Sequence, residues 1–300
     1  MEKLQLSPIP LGELLTPERF LKELWVNGAF IQVRIESFRY KVIFEADYPE
    51  IVSKLRLIGE ALRVIMQSTS FQQMIRTVLR IGNFLNSNTP KGNVAVSVTQ
   101  GISLDSLRQL ESFLSLDKKS SLLQFIIASA LARSKSALTF ISEFEVCEAA
   151  AQSDLSDAEL KLKELDTGLT KVKDSLKKLE SARDADMSLY KEYMSSFVTG
   201  AGVQMEDLRM MATKVRADQA VVAELYAENK EGKTSELVRK FWDFAMSCKR
   251  VREKMSVEEG KRQLAKKEQT RPEARPSHRP GPKPQPRLSV RRRKDGLVAL

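Results

Sequence analysis

From Leu155 onward, apolar residues arrive at steps that alternate strictly between three and four: Leu155, Ala158, Leu162, Leu165, Leu169, Val172, Leu176 and Leu179, with charged residues between them. That spacing returns one side of an α-helix to the same face every two turns, and no strand can use it. Burying a leucine is worth about 1.5–3 kcal/mol, while ordering each backbone residue costs about 1–2 kcal/mol. A helix with a single apolar seam therefore has to lie against other helices. Two further stretches offer partners. Residues 187–228 carry Tyr190, Met194, Phe197, Met205, Leu208, Met211, Val215, Val222 and Leu225; residues 236–254 carry Leu237, Phe241, Trp242, Phe244, Ala245, Cys248 and Val251. Two antiparallel arms joined near 181–186 would pair the first two seams. A helix from a second chain could serve the same heptads, but the intervening loops favour folding back. The fold class that follows is all-α: an elongated multi-helix bundle with long antiparallel coiled-coil-like helices.

The earlier half of the chain is helical by the same criteria. Thr16-Pro17-Glu18 reads as N-cap, first helical position and an acid at the positive dipole end, with Phe20, Leu21, Leu24 and Trp25 as the apolar face. A second helix is expected over 30–45 and a third from Asp47-Tyr48-Pro49, striped by Ile51, Leu55, Ile58, Leu62 and Ile65. Ser70 and Gln73 form a capping box for a fourth, whose stripe is Phe71, Met74, Ile75, Val78, Leu79 and Leu85. Gly82 interrupts it. An interior helix glycine costs about 1 kcal/mol relative to alanine, so close approach of another backbone is the expected reason. Asn83 and Asn86 share a face, and Pro90 with Gly92 ends the helix. Taken alone, Gly-Asn-x-x-Asn is equally a helix frayed by poor helix formers. Beyond it, residues 94–98 could form a short strand, Ser103 caps a short helix over Asp105, and residues 122–127 read as a helix buried on most sides. Leu138, Ile141 and Phe144 continue the stack, and Ser156 with Glu159 reads as a capping box for the heptad helix.

Composition limits what such a bundle can do. The net charge is +10, yet residues 1–260 hold 36 Lys and Arg against 36 Asp and Glu, so the excess resides in 261–300. That tail is Arg, Lys, Pro and Gln with few apolar residues; it is expected to be disordered and holds no P-x-x-P spacing. The domain reading is a flexible 1–15, a helical body over 16–258 and a disordered, basic, Pro-rich 259–300. Cys147 and Cys248 lie in apolar helical patterns, which points to buried reduced thiols and a cytoplasmic setting. The one histidine, His278, is in the tail. His-based acid–base or nucleophilic catalysis and most zinc sites are thereby excluded, and neither glycine-rich phosphate-binding motif is present. No enzyme activity, catalytic residue, cofactor, metal, small-molecule substrate, specific nucleic acid partner or transmembrane segment is expected. Binding is the expected task.

Several blocks carry a resemblance. Gly82-Asn83-Phe84-Leu85-Asn86, then Gly92-Asn93, then Gly101-Ile102-x-Leu104-x-x-Leu107-x-x-Leu110 resemble the best-marked segment of the formin family's actin-assembling domain, the formin homology 2 domain. Leu122-Leu123-Gln124-Phe125 falls where that family carries Leu-Leu-His-Phe, and the likeness runs from about Leu11 to Lys254. The resemblance implies an actin-binding module that nucleates or elongates filaments at barbed ends and organises the actin cytoskeleton. It also implies a second formin subunit as partner, whose tether loops over a surface called the post. On this reading Gly82, Asn83, Asn86, Gly92, Gly101, Leu104, Leu107 and Leu110 build the tether-receiving surface.

Some features depart from the family pattern. The family's own tether and most of its knob would precede Met1, so the chain alone is expected not to nucleate filaments and to gain activity when that half is supplied. Gly92 and Gly101 are further apart than usual, Ser103 stands where a basic residue is common, and Ser112-Phe113-Leu114-Ser115 replaces Asp-Thr-Lys-Ser. Arg291, Arg292, Arg293 and Lys294 resemble the basic half of a formin autoregulatory tail, without the leucine-rich half. The alternative expectation is a non-catalytic helical scaffold whose basic tail binds polyanions, nucleic acid or acidic membrane, with steep salt dependence.

Overall fold

A computed structural model describes residues 15–27, 31–87, 102–115, 118, 120–179 and 185–269. Every named element among them is an α-helix: α1 (Thr16–Asn27), α2 (Ile31–Gln67), α3 (Thr69–Ser87), α4 (Leu104–Gln109), α5 (Leu122–Arg133), α6 (Phe140–Glu143), α7 (Glu145–Ala150), α8 (Leu155–Leu179), α9 (Ala185–Leu225) and α10 (Thr234–Gln269). The β geometry found among the described residues is one isolated antiparallel bridge, Leu114 to Ser121. The expected strand at 94–98, the joint at 181–184, the stretch 1–14 and the tail beyond 269 lie outside the described residues.

The long helices pack as their seams require. Leu155, Ala158, Leu165, Leu169, Val172 and Leu179 of α8 are all buried. Glu159 pairs with Arg216 and Asp166 with Arg209, so α8 ascends as α9 descends. Lys161 reaches Glu50 at 3.0 Å, while the Tyr40 hydroxyl donates to the Leu165 carbonyl at 2.8 Å, so α2 and α8 are antiparallel too. Phe38 meets Tyr190, Phe44 meets Phe197, and Gly59 faces Val215, which makes α2 parallel to α9. The antiparallel folding back read from the heptads is thereby observed. The ion pairs join exposed side chains, each worth about 0–1 kcal/mol; the seams hold the bundle.

Four boundaries differ from the sequence expectation. The second and third expected helices are one helix, α2, with Pro49 inside it. Tyr48 stacks on Phe44 before the proline, and Ile51, Leu55, Ile58, Leu62 and Ile65 are buried after it. Burial at about 1.5–3 kcal/mol per large side chain outweighs the roughly 3 kcal/mol cost of an interior proline. The cap of α3 is Ser68, whose hydroxyl accepts the Phe71 N–H at 3.2 Å, while Ser70 turns toward Glu143. Similarly, Asp154 accepts the Ser156 N–H at 3.3 Å, and Glu159 is engaged with Arg216 instead of closing a box with Ser156. Finally, α10 continues to Gln269, well into the stretch read as tail.

The main core collects around Phe71, whose ring lies between 5.1 and 6.1 Å from those of Phe140, Phe144, Tyr226, Phe241 and Phe244. It ties α3, α6, the turn after α9 and α10 together. The α9–α10 joint is sealed by Gln219, fully buried, which donates to the Gly232 carbonyl at 2.8 Å and accepts from the Thr234 hydroxyl at 2.5 Å. Cys147 and Cys248 are free thiols buried in this core. The chain divides into a unit Met1–Met255 and a unit Ser256–Leu300, of which the described part is the end of α10. No helix among the described residues is long and apolar enough to cross a membrane.

Candidate functional site

Helix α3 drives Phe71, Met74 and Val78 into the core through its first half. Its second half leaves the core, and the change falls at Gly82. Among the described residues, a Cβ built at Gly82 meets nothing within 4 Å. No described backbone makes the close approach expected there; the glycine leaves a gap in the described surface instead. That gap opens onto a hollow of about 250 Å³ walled by Val78, Ile81, Ile102, Leu110, Leu122 and Ile126, with Asn83 at its edge. On its other side it opens onto a hollow of about 550 Å³ among Leu85, Phe113, Leu114, Leu122 and Phe125.

The walls are set by short-range structure. Ser103 caps α4 by accepting the Ser106 N–H, as its sequence predicts, and α4 turns Leu104 and Leu107 inward. The chain then doubles back. Leu122 N–H donates to Phe113 at 2.7 Å, Ser115 N–H to Ser120 at 2.8 Å and Leu123 N–H to Leu110 at 3.1 Å, with Lys118 at φ 54° making the reversal. This loop holds Phe113 and Leu114 outward beside α5, itself capped by Ser121. Helix α5 is buried on one side, through Leu123, Ile126, Ile127 and Ala130, and not on most sides as expected. Its Phe125 is 58% exposed and stands beside Phe84 at 67%. Such a gathering of exposed large apolar side chains marks an interaction surface, because scattered single residues need no explanation and a contiguous patch does.

The residues predicted from sequence divide into three groups. Gly82 and Asn83 border the notch. Leu104, Leu107 and Leu110 are 1%, 2% and 6% exposed and belong to the core, and of the three Leu110 also lines the smaller hollow. Asn86 closes α3, but its side chain, with Gly92, Gly101, Arg291, Arg292, Arg293 and Lys294, lies outside the described residues. Sequence reasoning passed over Phe84, Leu85, Phe113, Leu114 and Phe125 as contact residues. The available signal was that Phe84 and Phe125 are large apolar residues standing off the buried stripe of amphipathic helices.

Among the described residues, the lining of the notch includes no Asp, Glu, His, Cys or Lys. Its lining is apolar side chains with Ser103, Ser106, Ser115, Ser120 and Ser121 at the margin, and no group of His, Cys, Asp and Glu able to hold a metal occurs among the described residues. The thiols are remote and inert, since burial pushes Cys147 up to about 12 and raises Cys248 likewise. An apolar hollow rimmed by a few hydroxyls binds side chains.

Comparison with known proteins accords with this geometry. The sequence profile described as Formin Homology 2 Domain matches residues 1–249. Formin-like protein 14 of Arabidopsis thaliana is 24% identical over 213 residues, 71% of this chain and 17% of that protein. Formin-J of Dictyostelium discoideum is 26% identical over 200 residues, 66% of this chain and 8% of its own length. Protein diaphanous homolog 3 of Homo sapiens is 25% identical over 197 residues, covering 66% and 16%. The chain thus spans less than a fifth of the length of each of these relatives. With the profile covering most of the sequence, and every named element among the described residues a helix, the chain belongs to the formin homology 2 domain family.

Proposed function

We propose that this protein is a non-catalytic, cytoplasmic actin-binding module of formin type, acting in filament nucleation or elongation at barbed ends and so in organisation of the actin cytoskeleton. The observation that carries the reading is family membership over residues 1–249. The notch at Gly82 supports it: it is an open apolar hollow on the segment whose sequence resembles the family's post, and it could take apolar side chains from the tether of another formin subunit. Gly82 and Asn83, with Phe113, Leu114 and Phe125, form the contact face in this proposal; Leu104, Leu107 and Leu110 hold it in shape.

Two measurements test it. In seeded pyrene-actin elongation, the full chain is expected to change barbed-end growth and to co-sediment with filaments. No effect on growth together with no co-sedimentation overturns the actin assignment. For the notch, Gly82→Trp adds a side chain where the fold has space. The unaltered chain should be pulled down by the tether-bearing N-terminal part of a formin homology 2 domain, and the variant should not. Equal capture of both moves the docking surface elsewhere.

A further inference from the structure

Five arginines on the body of this protein hold ion pairs: Arg63 with Glu60, Arg108 with Asp243, Arg209 with Asp166, Arg216 with Glu159, Arg250 with Glu111. Among those that hold none with a described residue, three stand together. Arg76 and Arg80, one turn apart on α3, and Arg133, in the last turn of α5, line one cavity of about 270 Å³ to which no Asp or Glu contributes. Among the described residues none of the three has an ion-pair or hydrogen-bond partner. Nearby hydroxyls are already committed: Thr77 donates to the Gln73 carbonyl, Ser129 to the Phe125 carbonyl, and Ser134 shares a hydrogen with Ser136. The cationic donors in the cavity are the guanidiniums, with the neutral amide of Gln73 also in the lining; the planar guanidinium fork suits oxyanions bound two bonds at a time.

A second observation narrows the ligand. Arg80 and Arg133 also line the adjoining hollow of about 360 Å³, whose remaining walls include Phe84, Leu85 and Phe125. Cationic and apolar surface are therefore continuous. A free anion would use only the first, and a flexible polyanion would leave the second exposed; a peptide with acidic and apolar side chains uses both. We infer that this is a docking site for an acidic, apolar segment of a partner protein, its Asp or Glu carboxylates between Arg76, Arg80 and Arg133 and an aromatic or aliphatic side chain against Phe84 and Phe125. Its apolar half shares Phe125 with the contact face proposed above, whereas the arginine cavity is separate from that face, so acidic-peptide binding would stand if barbed-end binding failed.

Phage-displayed random peptides selected on the full chain, and in parallel on its R76E/R80E/R133E variant, test the assignment. The three side chains are exposed and unpaired, so the variant should melt like the parent; R76Q/R80Q/R133Q replaces it if the reversed charges disturb the fold. Selection on the parent should enrich sequences that join acidic to aromatic or aliphatic residues, and selection on the variant should lose them. With a selected peptide carrying fluorescein, replacing its acids by amides or introducing R80E should weaken binding about tenfold or more, the scale of a lost charge-assisted contact. Enrichment without acidic bias, or the same enrichment on the variant, overturns the proposal. So does arginine-dependent binding of inorganic phosphate or of phosphatidylinositol bisphosphate vesicles in the absence of peptide enrichment, which would reassign the cavity to phosphates.

Discussion

A methyl group added at Gly82 would meet no described residue, whereas one added at Gly168 would run into the ring of Tyr40, whose hydroxyl is fastened to the Leu165 carbonyl. The two glycines look alike in the sequence, since both interrupt amphipathic helices. Gly82→Ala should stabilise the fold by up to about 1 kcal/mol through helix propensity. Gly168→Ala should destabilise it by about 1–3 kcal/mol through overpacking. Urea midpoints of the two variants check this, and equal shifts would show that the close approach is misplaced. The buried thiols make a second prediction. The Cys147 pKa rises from 9.0 to about 12 because burial penalises the thiolate, and Cys248 moves the same way. Between those values the unfolded chain has lost a proton that the folded chain retains, so stability falls as pH rises, at up to about 1.4 kcal/mol per pH unit for each thiol. Urea midpoints taken through this range should decline, and the decline should be shallower in Cys147→Ala. Cys147 and Cys248 should also resist Ellman's reagent until the protein unfolds.

Helix α2 shows how tertiary packing overrides a local breaker. Pro49 is exposed, and its ring removes the N–H that would otherwise donate to the Glu45 carbonyl one turn back. Pro49→Ala restores that donor. The gain in helix propensity, less the entropy returned to the unfolded chain, is about 1–3 kcal/mol, so the thermal midpoint should rise. A fall would mean that the proline sets a bend on which the packing of α2 against α8 and α9 depends. The α9–α10 joint works the opposite way, through polar groups with no freedom to find water. Gln219→Leu would strand the Thr234 hydroxyl and the Gly232 carbonyl, at about 1–3 kcal/mol for each group left unpaired. A midpoint within error of the parent would show that these groups find other partners.

At the scale of the whole described body, what was legible in the sequence was whatever depends on period. The seams of α8 and α9 and the inward stripes of α2 and α3 follow from spacing, because a misplaced register would expose a row of leucines; the antiparallel folding rested on the intervening loops, since a second chain's helix would serve the same heptads. What depends on single contacts was not legible. Pro49 reads as a boundary until the ring of Tyr48 is seen on Phe44, and Ser70 reads as a cap until Ser68 is seen in its place. The site was legible only in part for a related reason. Leu104, Leu107 and Leu110 are conspicuous by their spacing, and spacing marks what is buried; the proposed contact face consists of exposed apolar residues that break the pattern. The distinction has a measurable consequence. Phe71 is fully buried among five aromatic rings drawn from separate elements, so Phe71→Ala should cost about 3–5 kcal/mol and loosen α3, α6 and α10 together. Phe125 is 58% exposed, and Phe125→Ala should leave stability within about 0.5 kcal/mol of the parent while weakening whatever docks at the notch. Urea denaturation with amide hydrogen exchange on both variants reads the two effects separately. If Phe125→Ala unfolds the chain as Phe71→Ala does, its ring belongs to the core and the docking surface has to be redrawn without it.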